Sequence, residues 1–401
     1  MIYIVVTIFA ISYMSFRGNS MLTTLYAIEL GASTWELGII ASLVALGPMF
    51  LAFYAGKISD RLGFKIPITF GSLGISLALL LPYFIKGKLI ILYLSQALYG
   101  FGIVFLIVSM QNLTGCLGTP ETRPKNYSIY SMGVSAANFA GPLITGFSID
   151  HISFHSSYLI LSFLAAVTGI VLVFNLVKLP PPPQKQAEKN QEKTVSKGGV
   201  RELLAVPAIR DALTSSGIIL TGVVIYDFYF PIFSQRIGLS ASVIGIILSI
   251  NAAAFFLVRF FMPVLVSKFT ENNVLIGCFW ITAVSFFLLP LFANAVALGI
   301  ISFFVGVGLG CGQPLTMTLA FNASPPGRTG EVLGLRLTVN KIVQFFVPII
   351  FGSVGTVFAA IPVFWSNALM LGSGGCLVRK KNVLSKRHLQ DNPANKNELH
   401  L

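Results

Sequence analysis

The chain has 401 residues, of which 55% are hydrophobic and only 10% charged, with a formal net charge of +13. A soluble domain carries about 25% charged residues, so a water-soluble core of this size is excluded and lipid is the expected solvent. The basic excess does not indicate nucleic-acid binding, because the Lys and Arg residues fall between and beyond apolar runs, where topology signals sit.

A membrane-spanning helix needs about 20 apolar residues. Twelve such runs are predicted, at 2–29, 36–58, 66–85, 89–117, 127–150, 155–178, 208–234, 241–267, 274–292, 295–320, 331–356 and 360–379. The first residues, MIYIVV, lack the basic start of a cleavable signal and run directly into the first span. Most connections are short. The exception is 179–206, which opens with Pro180–Pro183 and is rich in Lys and Glu, and so reads as a flexible or partly helical linker. The predicted organisation is an amino-terminal bundle (1–178), a linker (179–206), a carboxyl-terminal bundle (207–380) and a polar tail (381–401), disordered and anchoring.

Lys and Arg set the orientation. With the amino terminus inside, 20 of the 27 fall in cytoplasmic segments and three (Lys86, Lys88, Arg236) outside. The other four, Arg17, Arg259, Arg336 and Lys341, lie within spans. This bias predicts an inner-membrane protein with both termini cytoplasmic.

The sequence repeats itself at an offset of 206–207 residues. Gly31–Ile40 (GASTWELGII) lies over Gly238–Ile247 (GLSASVIGII). Gly100 and Gly102 lie over Gly306 and Gly308, and Asn138–Gly146 (NFAGPLITG) over Gln344–Gly352 (QFFVPIIFG). Six spans return the chain to its starting side, so the halves are parallel repeats about an axis along the membrane normal. The fold class is therefore an all-α membrane protein of twelve helices in two pseudo-symmetric six-helix bundles. Gly100, Gly102, Gly306 and Gly308, with Gly141 and Pro142, are its predicted packing positions.

The loop after the second span reads GKISDRLGFK, Gly56 to Lys65. It resembles the signature of the major facilitator superfamily, Gly-x-x-x-Asp-Arg/Lys-x-Gly-x-Arg/Lys. The resemblance covers the whole chain once span count, linker and repeat are included. It implies a transporter working by alternating access, with the first, fourth, seventh and tenth spans lining a cavity. It also implies a cytoplasmic latch of Gly56, Asp60, Arg61, Gly63 and Lys65, in which Asp60 docks near Glu331 at the start of the eleventh span. Arg336 is the expected mediator of that docking and Arg259 its second-half counterpart. Plain topological anchoring is the alternative for Arg61 and Lys65. Around Gly141-Pro142 the fifth span resembles, in part, the Gly-x-x-x-Gly-Pro pattern of the superfamily's drug antiporters; a generic helix kink is the other reading. The Arg usual in the fourth span of those antiporters is absent, Ser95-Gln96 standing there, and the first span has no acid.

Ionisable groups within a span are functional candidates. Arg17, beside Gly18 and Asn19, and Asp227, flanked by Tyr226 and Tyr229, lie at similar depth in opposite halves. They are expected to pair across the interface or to share a substrate, with Asp227 as the proton-coupling carboxylate. Arg336, Asn340 and Gln344 follow at i, i+4 and i+8, with Lys341 beside them and Gln313-Pro314 on the tenth span. Substrate contact and interhelical hydrogen bonding both remain open for these. The expected substrate site is Arg17, Asn19, Tyr226, Asp227, Gln313, Asn340 and Gln344.

The cation excess favours an organic anion; the antiporter resemblance favours drug-like efflux. No phosphate-binding loop, nucleophile cluster or metal-ligand spacing is present, so ATP coupling, enzymatic activity, cofactor and metal are not expected. The expected partners are a small-molecule substrate, the lipid bilayer and protons as coupling ion, with no nucleic acid, and the chain is expected to be a monomer.

Overall fold

The computed structural model describes residues 2–117, 123–177, 179, 200–325, 328–358 and 360–391. Among them there are helices and no strands. The first half comprises α1 (Ile2–Glu29), α2 (Thr34–Leu62), α3 (Lys65–Phe84), α4 (Leu89–Cys116), α5 (Arg123–His151) and α6 (Phe154–Val173). A short α7 (Val200–Ala205) precedes α8 (Pro207–Arg236), α9 (Ala241–Phe269), α10 (Glu271–Leu288), α11 (Ala295–Asn322), α12 (Thr329–Phe358) and α13 (Ala360–Asp391). Leaving α7 aside, these are the twelve expected spans. Eleven are long and apolar enough to cross a membrane; α5, the twelfth, is 29 residues long but too polar to qualify by composition. The carboxyl-terminal region differs from expectation. α13 continues to Asp391, because KKNVLSKRHLQD holds good helix formers and no breaker before Pro393.

The same local chemistry starts corresponding helices in the two halves. Gly31 and Gly238 both take a positive φ (79° and 85°), which favours glycine and ends the preceding helix. Ser33 then caps α2 in a capping box with Glu36, and the Ser240 hydroxyl accepts from the Val243 N–H at 3.4 Å to cap α9.

Packing follows the repeat. A methyl on Gly100 would meet the Val44 carbonyl of α2, and one on Gly102 would meet Ile75 of α3. In the second half Gly306 faces Asn251 of α9 and Gly308 faces Thr282 of α10. So α4 and α11 each lie in the same way against two neighbours, as small-residue faces allow.

The halves meet along α5–α9 and α2–α12, and less extensively along α1–α8. The two long seams mirror each other. Gly38 of α2 packs on the Pro348 carbonyl of α12, and Gly245 of α9 packs on the Pro142 carbonyl of α5. Gly352 meets Thr34, and Gly146 meets Ala241. These contacts sit at the ends of the helices away from the linker. Hydrogen bonds between halves gather on the same face. The Asp150 carboxylate accepts from the backbone N–H of Ala241 (3.1 Å) and Ser242 (2.7 Å), and Arg236 Nη2 donates to Thr34 Oγ1 at 3.2 Å. Asp150 thus caps the first turn of a helix in the other half, where the exposed N–H groups favour a negative charge.

On the linker face α7 docks by Leu203 into a small apolar cluster with Ile209, Leu213, Ala320 and Val332. Arg328 Nη1 donates to Glu202 Oε2 at 2.9 Å.

Candidate functional site

Between the halves lies a cavity of about 350 Å³. Its walls come from α1, α2, α4, α5, α8 and α12. Phe16, Leu37, Ile40, Val44, Ile103, Leu220, Val223, Val224 and Phe228 make it largely apolar. Its polar groups are Tyr13, Arg17, Asn19, Ser20, Thr23, Thr24, Gln96, Asn138, Asp227, Lys341 and Gln344. A mostly apolar wall with a few convergent polar groups is the usual form of a small-molecule site.

Arg17 Nη1 donates to Asp227 Oδ2, joining α1 to α8. Both side chains are partly accessible (22% and 23%), and both also line a water-sized cavity of about 20 Å³ with Ser20, Asn138 and Pro142. Of the two sequence alternatives for this pair, the structure displays the direct one, an ion pair across the interface.

Asn19 lies in a closed network rather than pointing alone into the cavity. Its Nδ2 donates to Gln96 Oε1 at 2.9 Å, and Gln96 Nε2 donates back to Asn19 Oδ1 at 3.2 Å and to Thr23 Oγ1 at 2.9 Å. Thr23 Oγ1 donates to Asn19 Oδ1 and accepts from the Tyr158 hydroxyl at 3.2 Å. Gln96 is 2% exposed. Neutral amides therefore stand where the antiporter resemblance leads one to expect an arginine, and they tie α1, α4 and α6 together.

The face predicted on α12 divides. Gln344 lines the cavity, as does Lys341, whose Nζ donates to Gln344 Oε1 at 3.0 Å. Asn340 turns to α8, its Oδ1 accepting from Ser216 Oγ at 3.1 Å. Arg336 turns to α11, where Nη2 donates to the Gln313 carbonyl at 2.9 Å and to Thr316 Oγ1 at 3.2 Å. Positions i and i+8 differ by about 80° in heading, enough to send one end of the face into the cavity and the other into helix packing.

Arg259 also serves α11. A proline leaves the carbonyl four residues earlier without its helical donor. Pro314 does so to Gly310, and Arg259 Nε donates to that carbonyl at 3.3 Å. The two arginines expected in a latch thus flank the Pro314 break in this conformation. Gln313, Asn340 and Tyr226 are not among the residues lining the cavity, and α11, the expected tenth-span wall, contributes none. Tyr226 packs instead against Phe230 and Phe286. It stands about 100° around the helix from Asp227.

The side chains of Asp60, Arg61 and Glu331 lie outside the described residues. Gly63 has a φ of 79° at the end of α2, as its tight turn requires. Lys65 Nζ donates to Asn175 Oδ1 at 2.7 Å. A methyl at Gly56 would meet only Val108, at 3.8 Å, an ordinary contact. Close approach of α2 to the other half occurs instead at Gly38, on the opposite face. Gly141 packs against the Met14 carbonyl of α1. Among the described residues no group of three or more His, Cys, Asp or Glu is placed to hold a metal.

Sequence reasoning did not select Thr23, Gln96 or Asn138 as site residues. The repeat held a signal for Asn138, which aligns with Gln344, and both line the cavity one turn before Pro142 and Pro348.

The sequence pattern of the Major Facilitator Superfamily matches residues 5–348. The chain belongs to this family. Among curated relatives, it is 22% identical over 352 residues to the "Quinolone resistance protein NorA" of Staphylococcus aureus (strain Mu50 / ATCC 700699), covering 86% of this chain and 87% of that one. It is also 22% identical over 359 residues to the "Uncharacterized MFS-type transporter YuxJ" of Bacillus subtilis (strain 168), covering 85% and 86%. Among solved structures it is similar to a peptide transporter POT, with a TM-score of 0.75 at 15% identity and coverage of 94% and 93%. A bacterial homolog to the human lysosomal transporter Spinster, in an inward-facing and occupied conformation, gives a TM-score of 0.74 at 12% identity, with 96% of each chain covered. The protein is a multi-pass membrane transporter of the superfamily fold.

Proposed function

We propose that the protein is a secondary active transporter of a small organic anion, working by alternating access. The observation that carries this reading is the cavity of about 350 Å³ between two repeated bundles, with matching glycine–carbonyl seams, among the described residues, on the face away from the linker. With the Lys- and Arg-rich linker in the cytoplasm, the closed face is the outer one and the conformation is inward-open. Both termini are then cytoplasmic and the bilayer is the inner membrane. Transport requires the seams to part and the linker-side ends to close. Asp227 is the coupling carboxylate: its protonation would release Arg17 and loosen the outer closure. Reconstituted in proteoliposomes with an imposed proton gradient, the protein should carry small organic anions. Asp227→Asn should uncouple flux from the gradient; a variant that keeps the full gradient dependence would remove Asp227 from that role.

A second reading is drug/proton antiport. Its support is the relative named for quinolone resistance and the apolar cavity wall. Against it stands Gln96, in a satisfied neutral network. Flux of cationic amphiphiles in preference to organic anions would favour this second reading.

A further inference from the structure

Four basic side chains lie within the spans, and the structure accounts for three. Arg17 is compensated by Asp227. Arg259 and Arg336 donate to carbonyls of α11 and lie away from the cavity wall. The fourth, Lys341, lines the cavity. Its ammonium has three donors, of which one reaches Gln344 Oε1 at 3.0 Å. Among the described residues no carboxylate lies within salt-bridge distance of it. An ammonium held within a span on a largely apolar cavity wall is costly unless it is paired.

The cavity thus offers one uncompensated positive charge. A carboxylate would neutralise it and accept its remaining donors in a charge-assisted bond. A dianion would leave one negative charge unmatched, and an amine would meet repulsion. The other wall residues fix the rest of the ligand. Leu37, Ile40, Val44, Ile103, Val223 and Val224 call for an apolar body. On the α5 side Asn138 Oδ1 is buried with no donor and lines the same cavity. Asn138 belongs to one half and Lys341 to the other.

We propose that Lys341 is the anchor for the carboxylate of an amphipathic monoanion, held with its apolar body along α2, α4 and α8 between the two halves. This rests on the reading of the cavity as the substrate site, and it narrows that reading to one charge and one residue. It also separates two roles: Lys341 selects the ligand, while the Arg17–Asp227 pair closes the seam.

The test uses purified full-length protein and three probes of one shape: phenylbutyrate, phenylbutanol and phenylbutylamine at millimolar concentration. Binding is read as ligand-dependent thermal stabilisation, since a ligand shifts stability by mass action. The carboxylate is expected to stabilise most and the amine least. Lys341→Gln should weaken phenylbutyrate binding by at least about tenfold, because a hydrogen bond to a charged group is worth more than a neutral one. Phenylbutanol should still stabilise this variant, which shows that the cavity is intact. Lys341→Arg should keep the carboxylate preference. The proposal is overturned if no probe stabilises the wild type, if the alcohol or amine binds as well as the carboxylate, or if Lys341→Gln retains the preference. Carboxylate selectivity at Lys341 without flux in proteoliposomes would remove the transport reading and leave the anion site. Flux that is blind to charge would do the reverse.

Discussion

Arg17 of α1 donates to the carboxylate of Asp227 of α8 and so joins the two halves at the wall of the cavity. Removing one partner of this partly accessible pair leaves the other charge uncompensated, at a cost of about 2–3 kcal/mol, the worth of a hydrogen bond to a charged group. Asp227→Asn is therefore expected to depopulate the conformation closed on the face away from the linker by on the order of a hundredfold. Maleimide labelling of a cysteine placed at Ser242 should become faster in this variant. The double exchange Arg17→Asp with Asp227→Arg should recover part of the closure.

The two seams predict a matched pair of effects. Gly38 sits on the Pro348 carbonyl and Gly245 on the Pro142 carbonyl, with no room for a side chain at either. Gly38→Val and Gly245→Val should each part the halves on that face, and by similar amounts. Labelling rates at Ser242 should rise alike for both; a large effect from only one would break the symmetry argument.

Asp150 caps the first turn of α9 from the other half. Asp150→Ala should destabilise the closed face by about 1 kcal/mol, the usual worth of a capping side chain. Asn294→Ala removes a cap within one half, where Asn294 Oδ1 accepts from the Val296 N–H at 2.8 Å, and should lower thermal stability without raising the labelling rate at Ser242.

Gln96 fills all its contacts from within the protein. Gln96→Ala leaves Asn19 and Thr23 short of partners, which costs about 1–3 kcal/mol for a buried polar group. A lower thermal midpoint in the absence of ligand is the expected outcome, and Gln96→Glu, which would set a buried carboxylate against the Asn19 and Thr23 oxygens, should not recover it.

The architecture was legible in the sequence because membrane spans are long and apolar and because the repeat preserves backbone-limited positions. Gly100, Gly102, Gly306 and Gly308 each face a neighbouring helix where a methyl would collide, so their spacing recorded the packing directly. Arg17 and Asp227 were legible for a related reason: a charge within a span must find a partner, and equal depth in opposite halves named it. The polar face of α12 was read less well. Periodicity assigns residues to one side of a helix, but not to the different neighbours met along its length. Arg336 and Asn340 accordingly turned to α11 and α8 while Lys341 turned to the cavity. Gln313 lies off the cavity wall, with Arg259 of α9 on the Gly310 carbonyl that Pro314 frees and Arg336 of α12 on the Gln313 carbonyl, a tertiary fact with no local signature.

The central claim is that two bundles rock about the cavity between them. Spin labels on Leu62→Cys and Phe269→Cys would report the linker face, and labels on Ile152→Cys and Val296→Cys the opposite face. Both pairs would be measured with Cys116, Cys278, Cys311 and Cys376 replaced. All four labelled positions are exposed. On introducing Asp227→Asn, the distance across the linker face should shorten while the distance across the opposite face lengthens. Distances that stay fixed, or that change in the same sense on both faces, would contradict alternating access.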